Sequence, residues 1–326
     1  ILNFYNHTFA FRFGGRENIQ FKSICRINET CFLIAANQGV VKILQTLGLS
    51  KRIDDFSFLN GDQIIVRRRI LEHKTKRYYL GFPYILEQDN QSLNRLTYQN
   101  ISSYDGVFFK DELFCTTEGN GLISVHLNSK KIRFHASASH TLKESFESIA
   151  RFSDSLLVLA GGNKLVVYNP ETKRDFSYFL KKGIVIHEVV PLKNTNLVYL
   201  ATNKGLRCVR MNSQYGFEEV ASDEKSGCDI RDILIRPHTN EIWTATNKGV
   251  YVFAMNSLKI RKKFTKEHEV SHQMVVSLIE DKNKNIWAST YSGLTMYHTR
   301  SGAIYFINKN QGVFNTEFNY KSSCIL

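Results

Sequence analysis

The sequence is poor in residues that interrupt folded segments. Only 4 of its 326 residues are proline, so proline-rich linkers are excluded and a packed globular chain is expected. No apolar run of about 18 residues occurs, so no segment is predicted to span a membrane. Tryptophan is also scarce, with 2 copies, and both occupy the same slot of a repeated phrase.

Common catalytic and metal-binding signatures are missing too. None of the 6 cysteines lies in a Cys-x-x-Cys pair, so a zinc site is not predicted. The sequence has no His-Glu-x-x-His, no Gly-x-Ser-x-Gly and no glycine-rich phosphate loop. We therefore predict no catalytic residue, no metal site and no cofactor.

The cysteines leave two interpretations open. Cys25 and Cys31 flank a turn centred on Asn28, and one interpretation is a disulfide between them in an oxidising compartment. The alternative is that all 6 cysteines are buried free thiols that behave as small apolar side chains.

What the sequence contains is a repeat. Two near-copies of one phrase place Trp243 and Trp287 in one slot, and Gly249 and Gly293, 44 residues apart, in another. Weaker copies lie at 200–206, 159–165, 116–122, 35–40 and, poorly preserved, 78–85. A fixed period of this length is typical of a repeat architecture. We predict one domain, 1–326, with seven units near 17–50, 51–100, 101–140, 141–182, 183–226, 227–270 and 271–311.

Each unit is interpreted as four antiparallel strands. In the last unit, apolar or alternating runs predict strands at 276–280, 286–290, 294–297 and 303–307, separated by turns. No part of the unit has room for a helix of about 10 residues. The predicted fold is an all-β propeller with seven four-stranded blades. The alternative has eight, with 1–16 and 312–326 forming an incomplete or end-paired closing blade.

Basic residues outnumber acidic ones by 43 to 30, a net charge of +13. One interpretation is an acidic partner, such as an anionic glycan, a membrane face or nucleic acid. The other is edge protection, because basic clusters at 130–133, 173–174 and 259–263 recur at the predicted fourth strand, where lysine blocks sheet-to-sheet association. Aromatic and basic residues do not interleave, so nucleic acid binding is not predicted.

Polar residues recur where the predicted inner strands begin. Aligning the units stacks Tyr104, Glu147, Glu188 and Asp232 in one column, with Lys22 and Val276. The neighbouring column holds Phe146, His187, Arg231 and Val275. Side chains gathered around an axis bind a ligand or line a solvated channel, and both interpretations remain open. The ligand-binding candidates are Tyr104, Glu147, His187, Glu188, Arg231 and Asp232.

The repeated phrase also carries a family resemblance. Ile-Trp-x-x-Thr-x-x-Gly, preceded by Ser-Leu-Ile-Glu-Asp within 275–297, resembles the two-component regulator propeller repeat. That repeat builds the periplasmic sensor region of Bacteroides-type hybrid two-component histidine kinases. The segment 310–319, with its Asn-Thr-Glu-Phe-Asn, resembles the passage that opens the closing blade of that family.

The resemblance implies a non-catalytic sensor propeller. This propeller would be the periplasmic, extracytoplasmic part of an inner-membrane protein. Such a sensor detects an oligosaccharide, acidic or neutral, and regulates polysaccharide-utilisation genes. Its implied partners are an adjacent sensor propeller, an immunoglobulin-like domain and a second copy in a homodimer. The chain begins at Ile1 rather than methionine, so we expect a piece of a longer protein whose kinase modules lie elsewhere.

Two functions are alternatives to the sensor. A propeller lyase or glycosidase needs an acid/base pair, for which Glu147, Glu188 and His187 are the obvious group. A general protein-interaction propeller of the WD-repeat kind is the other alternative. The Gly-His and Trp-Asp dipeptides typical of that kind are absent from this sequence.

Overall fold

The structure is built from β-strands. The computed structural model describes residues 65–89, 92–97, 101–135, 141–265 and 269–307, and strands at 2–4, 7–9, 21–28, 31–36, 39–44, 49–54, 58–59, 62–63 and 323–325. The helices in this described part are two three-residue 3-10 turns, Thr141–Lys143 and Pro237–Thr239. None of the described helices is long and apolar enough to cross a membrane.

Six four-stranded antiparallel sheets follow one another along the chain, and we call them blades I to VI. In each blade the four strands run in sequence order from the inner to the outer edge. Blades I to III comprise Ile65–His73, Lys76–Phe82, Leu86–Asp89 and Ser92–Arg95; Ser103–Phe109, Glu112–Thr117, Leu122–His126 and Ile132–Phe134; and Ser148–Arg151, Leu157–Gly161, Lys164–Asn169 and Arg174–Phe179. Blades IV to VI comprise Ile186–Pro191, Leu197–Thr202, Gly205–Met211 and Phe217–Ser222; Ile230–Arg236, Glu241–Thr246, Gly249–Ala254 and Ile260–Phe264; and Val275–Glu280, Ile286–Thr290, Gly293–Tyr297 and Ile304–Ile307.

The propeller prediction is confirmed, but the predicted blade number is wrong. The described part of the chain contains six four-stranded blades, not seven or eight. The strands Phe21–Asn28, Cys31–Ala36, Gly39–Leu44 and Leu49–Asp54 belong instead to a five-stranded sheet. Its fifth strand, Ser323–Ile325, comes from the other end of the chain and pairs in parallel with 24–26. Four further strands form two two-stranded sheets, Leu2–Phe4 with His7–Phe9 and Phe58–Leu59 with Asp62–Gln63.

The repeated Thr-x-x-Gly phrase forms the turn between the second and third strands. The Thr202 hydroxyl donates to the Gly205 carbonyl (2.7 Å) and accepts from the Lys204 amide (3.1 Å). Thr246 and Thr290 make the same contacts in the next two blades. Gly205 has a φ of +94°, and a Cβ atom there would lie 1.7 Å from the Asp223 carbonyl oxygen. Only glycine fits this turn, which explains the sequence repeat.

An apolar side chain on the second strand anchors each blade. The residue three positions before the end of that strand is Phe114, Val158, Tyr199, Trp243 or Trp287 in blades II to VI, and all five are buried. Apolar side chains of successive blades form shared clusters, such as one joining Leu200 of blade IV to Val158 of blade III. The core therefore lies between the blades, and the inner strands form the wall of a ring.

Candidate functional site

A β-bulge opens the inner strand of several blades. In blades II, IV, V and VI the register with the second strand skips one residue near the start of the inner strand. In blade III the corresponding position, Glu147, directly precedes the inner strand. A bulge turns its extra residue away from the regular sheet alternation. We call these positions the bulge row: Tyr104, Glu147, His187, Arg231 and Val276.

The residues that directly follow the bulge-row positions in sequence form a second row, which we call the clamp row. Its members are buried, and all carry an oxygen: Asp105, Ser148, Glu188, Asp232 and Ser277. The six predicted ligand residues therefore divide between two rows. Four belong to the bulge row, whereas Glu188 and Asp232 belong to the clamp row.

Four of the five clamp side chains, those of Asp105, Ser148, Glu188 and Asp232, accept a hydrogen bond from the backbone of the following blade. Asp232 of blade V accepts the Leu278 amide of blade VI (2.7 Å) and the Ser277 hydroxyl (2.6 Å) on one oxygen. Glu188 of blade IV accepts the Ile233 amide of blade V (2.9 Å). These oxygens satisfy backbone amides of the inner strands, which are edge strands of their sheets.

The same contact continues through blades II and III. Asp105 Oδ2 lies 3.2 Å from both the Ser148 hydroxyl and the Ile149 amide, and its Oδ1 lies 3.2 Å from Arg69 Nε of blade I. The Ser148 oxygen accepts the Val189 amide of blade IV (3.3 Å). The clamp row thus joins blades I to VI by hydrogen bonds and an ion pair at the ring's inner wall.

A cavity of about 360 Å³ lies inside the ring. Its wall includes the clamp residues Asp105, Ser148, Glu188 and Asp232, together with Arg69. The rest of the lining is mostly aliphatic, from Ile149, Val189, Ile233 and their neighbours. A partly apolar cavity with a few convergent polar groups is the usual form of a small-molecule site.

The bulge-row residues Glu147, His187 and Arg231 are each next in sequence to a clamp residue that lines the cavity, at the end of the ring where the inner strands begin. We call this end the upper face. His187 of blade IV lies between two carboxylates, with Nδ1 at 3.4 Å from Glu147 Oε2 and Nε2 at 3.0 Å from Asp229 Oδ1. Arg231 pairs with the other oxygen of Asp229. We call Glu147, His187, Asp229 and Arg231 the upper-face cluster.

The contacts within the cluster favour the charged forms of His187 and Asp229. Burial alone lowers the pKa of His187, but the carboxylates of Asp229 and Glu147 outweigh it and raise that pKa above its ordinary value. Burial opposes ionisation of Asp229, yet His187 and Arg231 keep the pKa of its carboxyl below the ordinary value. The Glu147 side chain is 40% exposed, against 13% for His187, so the cluster offers polar atoms to the solvent.

Four contact residues were missed by the sequence alignment: Asp105, Ser148, Asp229 and Ser277. The predicted column placed Tyr104 and Glu147 beside Glu188 and Asp232, one residue out of step with the observed rows. The clamp residue lies nine positions before the second-strand anchor in blade II but eleven positions before it in blades IV and V, so an alignment on the anchors puts the rows out of step. The available signal was an oxygen-bearing residue repeated 40 to 45 positions apart, at Asp105, Ser148, Glu188, Asp232 and Ser277. Lys22 was also aligned with this column, but its side chain is outside the part that the structure describes.

The carboxylates beside the cavity serve as hydrogen-bond acceptors and are not grouped as metal ligands. Across the described ranges, no group of three His, Cys, Asp or Glu side chains is placed to hold a metal ion. Asp105, Glu188 and Asp232 instead use their oxygens on backbone amides of the next blade. The upper-face cluster provides hydrogen-bond donors and acceptors where the inner strands begin.

Comparisons with known proteins show the fold. No family model and no curated protein matches the chain. The computationally designed Ika8 protein aligns over 88% of this chain and 86% of its own, at 10% identity and a TM-score of 0.65. Saccharomyces cerevisiae Sqt1 aligns over 88% and 84%, at 12% identity and a TM-score of 0.65. At such identities the likeness establishes the fold and nothing further.

One further solved structure is the extracellular domain of a putative hybrid two-component system from B. thetaiotaomicron. It aligns over 88% of this chain at 12% identity, with a TM-score of 0.40. The chain spans only 49% of that domain.

Proposed function

We propose that this chain is a non-catalytic sensor propeller that binds an oligosaccharide at its upper face. It would serve the extracytoplasmic part of a hybrid two-component histidine kinase and regulate polysaccharide-utilisation genes. The observation that carries the proposal is the upper-face cluster, a partly exposed set of charged groups where the inner strands begin. The sequence resemblance to the two-component regulator propeller repeat supplies the biological setting.

The chemistry of the cluster suits a sugar. Glu147 and Asp229 accept hydrogen bonds from hydroxyl groups, while Arg231 and protonated His187 donate to ring or hydroxyl oxygens. All four groups already contact one another, so they are held in place before a ligand arrives. Such preorganisation reduces the entropy that binding would otherwise cost.

An aromatic pair extends the same face. The rings of His272 and Tyr291 in blade VI are nearly parallel, with centroids 5.9 Å apart. His272 precedes the inner strand and Tyr291 lies in the turn between the second and third strands, so both are at the upper face. A flat aromatic surface packs against the apolar face of a sugar ring, which adds contact area to the polar cluster.

The geometry favours binding over catalysis. The enzyme alternative draws its acid/base pair from Glu147, Glu188 and His187, and a glycosidase needs the two carboxylates on either side of a glycosidic bond. Glu188 is buried and accepts the Ile233 amide, whereas Glu147 is 40% exposed on the other row. The two carboxylates therefore do not face one common substrate position.

Calorimetric titration tests the proposal. The chain is titrated with neutral and uronic-acid oligosaccharides at low and high salt, and the Kd is compared with that of Arg231→Ala and His187→Ala. We expect at least a tenfold weaker Kd for both variants, about 1.4 kcal/mol or more each. Binding of acidic oligomers is expected to weaken further as salt rises, because the net charge is +13.

Arg210→Ala is the matched control. Arg210 is an exposed arginine on the third strand of blade IV. Its ion pair with Glu218 (2.9 Å) lies away from the upper face. Its variant is expected to bind like the parent chain. Equal losses in the Arg210 and Arg231 variants would reject the upper-face site, and new reducing ends in the incubated sugar would favour the enzyme.

A further inference from the structure

The outer edge of blade III differs from the outer edges of the other five blades. Its strand, Arg174–Phe179, pairs with Lys164–Asn169 over six residues without a shift of register. In blades IV and V the outer strand skips one residue, Val220 and Arg261 respectively. The outer strands of blades I, II and VI have only four, three and four residues. Because bulges and short strands keep sheet edges apart, blade III has the edge most open to another strand among the six blades.

This edge also exposes aromatic side chains. Phe176 is 39% exposed and Phe179 is 58% exposed. The ring of Phe176 packs against Tyr215 of blade IV, with centroids 4.9 Å apart, so its position is fixed before a partner arrives. A regular edge strand with exposed aromatic residues is a template for pairing with a second strand. We propose that two copies of this chain pair antiparallel through Arg174–Phe179, which joins their third blades into one continuous sheet.

The backbone of this strand alternates as such pairing requires. The Leu180 amide donates to the Asn163 carbonyl within the blade (2.8 Å). Hydrogen-bonded pairs alternate along an antiparallel ladder, so even-numbered residues of the strand direct their backbone groups into the blade. Ser177 and Phe179 therefore direct their amides and carbonyls outward, to the side where the fourth strand of the sheet has no neighbour in its own blade.

A two-fold axis at Phe176 gives a complementary register. In this register Phe176 faces its counterpart, Arg174 faces Tyr178 of the second copy, and Asp175 faces Ser177 of the second copy. These pairs supply an aromatic contact, a guanidinium over a tyrosine ring, and a hydroxyl that donates to a carboxylate. An axis at Asp175 would bring two carboxylates together, and an axis at Ser177 would place each Asp175 opposite an aromatic ring. The axis at Phe176 avoids both.

Charges at the ends of the strand favour the same register. It places the exposed Lys181 of each copy near Glu171 of the other, which gives two pairs of opposite charge. Glu171 contacts Lys110 in its own chain and remains 51% exposed, so a second cation can approach it. The net charge of +13 opposes association of two copies, and these pairs reduce that repulsion at this edge. An isologous contact closes as a dimer, and this inference is independent of the ligand proposed above.

Sedimentation equilibrium of the full chain tests the proposal, from about 1 μM to about 1 mM, because a small interface gives a weak dimer. Phe176→Lys brings two like charges face to face at the axis, and we expect the dimer Kd to rise at least tenfold. Tyr305→Lys is the matched control, since Tyr305 is a 48% exposed aromatic residue on the outer strand of blade VI. A parent chain that stays monomeric throughout, or equal weakening by both variants, would overturn the proposal.

Charge reversal tests the register. Lys181→Glu and Glu171→Lys are each expected to weaken the dimer, because each creates two contacts between like charges. The double variant restores opposite charges across the axis and is expected to recover the Kd of the parent chain. A double variant weaker than either single variant would reject this register.

A cross-link through the axis gives a positive signal. Residues that face each other in a non-hydrogen-bonded pair have Cα atoms about 4.5 Å apart, within the range of a disulfide. In the Phe176→Cys variant, oxidised glutathione is expected to give a covalent dimer linked through position 176. Two protein thiols then lose two hydrogens, and two glutathione thiols form. Peptide mapping identifies the link, Tyr305→Cys is the control expected to stay monomeric on a non-reducing gel, and failure of the position-176 link to form would contradict the axis.

Discussion

Glu147 and Glu188 are the same residue type near the start of neighbouring inner strands, yet their surroundings differ. The Glu147 side chain is 40% exposed and faces His187 on the upper face. Glu188 is 5% exposed and accepts a backbone amide from the next blade. One belongs to the bulge row and the other to the clamp row. The comparison teaches that position relative to the bulge, rather than residue type, decides whether a carboxylate meets solvent or holds the ring together.

The largest expected difference between the rows is at Asp105. We expect Asp105→Ala to lower the free energy of unfolding by about 3–5 kcal/mol, because Arg69, Ser148 and the Ile149 amide lose a buried partner. Urea unfolding measures this loss. Glu147→Ala in the bulge row is the control, with an expected change below about 1 kcal/mol. Equal losses would remove the distinction between the rows.

Asp232 and Arg231 give the same comparison between consecutive residues. Asp232→Ala is expected to cost about 2–3 kcal/mol, since the Leu278 amide and the Ser277 hydroxyl are left without their acceptor. Arg231→Ala is expected to cost less than about 1 kcal/mol, because its ion pair is partly exposed. Thermal and urea unfolding of both variants check the order, which a costlier Arg231 variant would reverse.

Glu188 separates hydrogen bonding from charge within the clamp row. Glu188→Gln keeps an acceptor oxygen for the Ile233 amide, so the expected loss is below about 1 kcal/mol. Glu188→Ala removes the acceptor and is expected to cost about 2 kcal/mol. Urea midpoints of the two variants, measured side by side, provide the check. If glutamine proves as costly as alanine, charge is what matters at this position.

The smallest expected effect depends on pH and belongs to His187. Its pKa in the folded chain is raised above the ordinary 6.5 by Asp229 and Glu147, against the effect of burial. The stabilisation is therefore fully present below pH 6.5 and is lost as the pH rises through the folded pKa. We expect His187→Gln to lose less than about 1 kcal/mol at pH 5.5 and to match the parent chain at pH 9.

Unfolding of both proteins across this pH range is the measurement. His187→Gln, unlike an alanine variant, keeps a hydrogen-bonding side chain of similar length, so the difference isolates the charge. A larger loss at pH 9 than at pH 5.5 would contradict the assigned direction of the pKa shift.

Much of the blade could be predicted from the sequence. The expected strand at 286–290 matches Ile286–Thr290, and the strands predicted at 276–280 and 294–297 each begin one residue late. The Thr-x-x-Gly phrase marked the turn correctly, because a positive φ and a crowded backbone tolerate only glycine there. These features depend on contacts within about 40 residues, so a local pattern carries them.

The candidate site was predicted only in part. His187 and Arg231 lie on the upper face, but the alignment placed Glu188 and Asp232 in the row of Tyr104 and Glu147. Asp229 was missed because it precedes the strand and belongs to no repeated column. Whether the six predicted residues bind a ligand stays a prediction. The distance from the clamp residue to the second-strand anchor differs between blades, so an alignment on the anchors mixes the two rows.

The sequence by itself determined an all-β repeat, since strand alternation and turn glycines act over short distances. The tertiary structure alone decided how many four-stranded blades there are, because 323–325 joins the sheet of 21–54 across almost the whole chain. It also decided which carboxylates are buried. Each depends on pairing between residues far apart in sequence, where chain proximity gives no guidance and the geometry of the closed ring does.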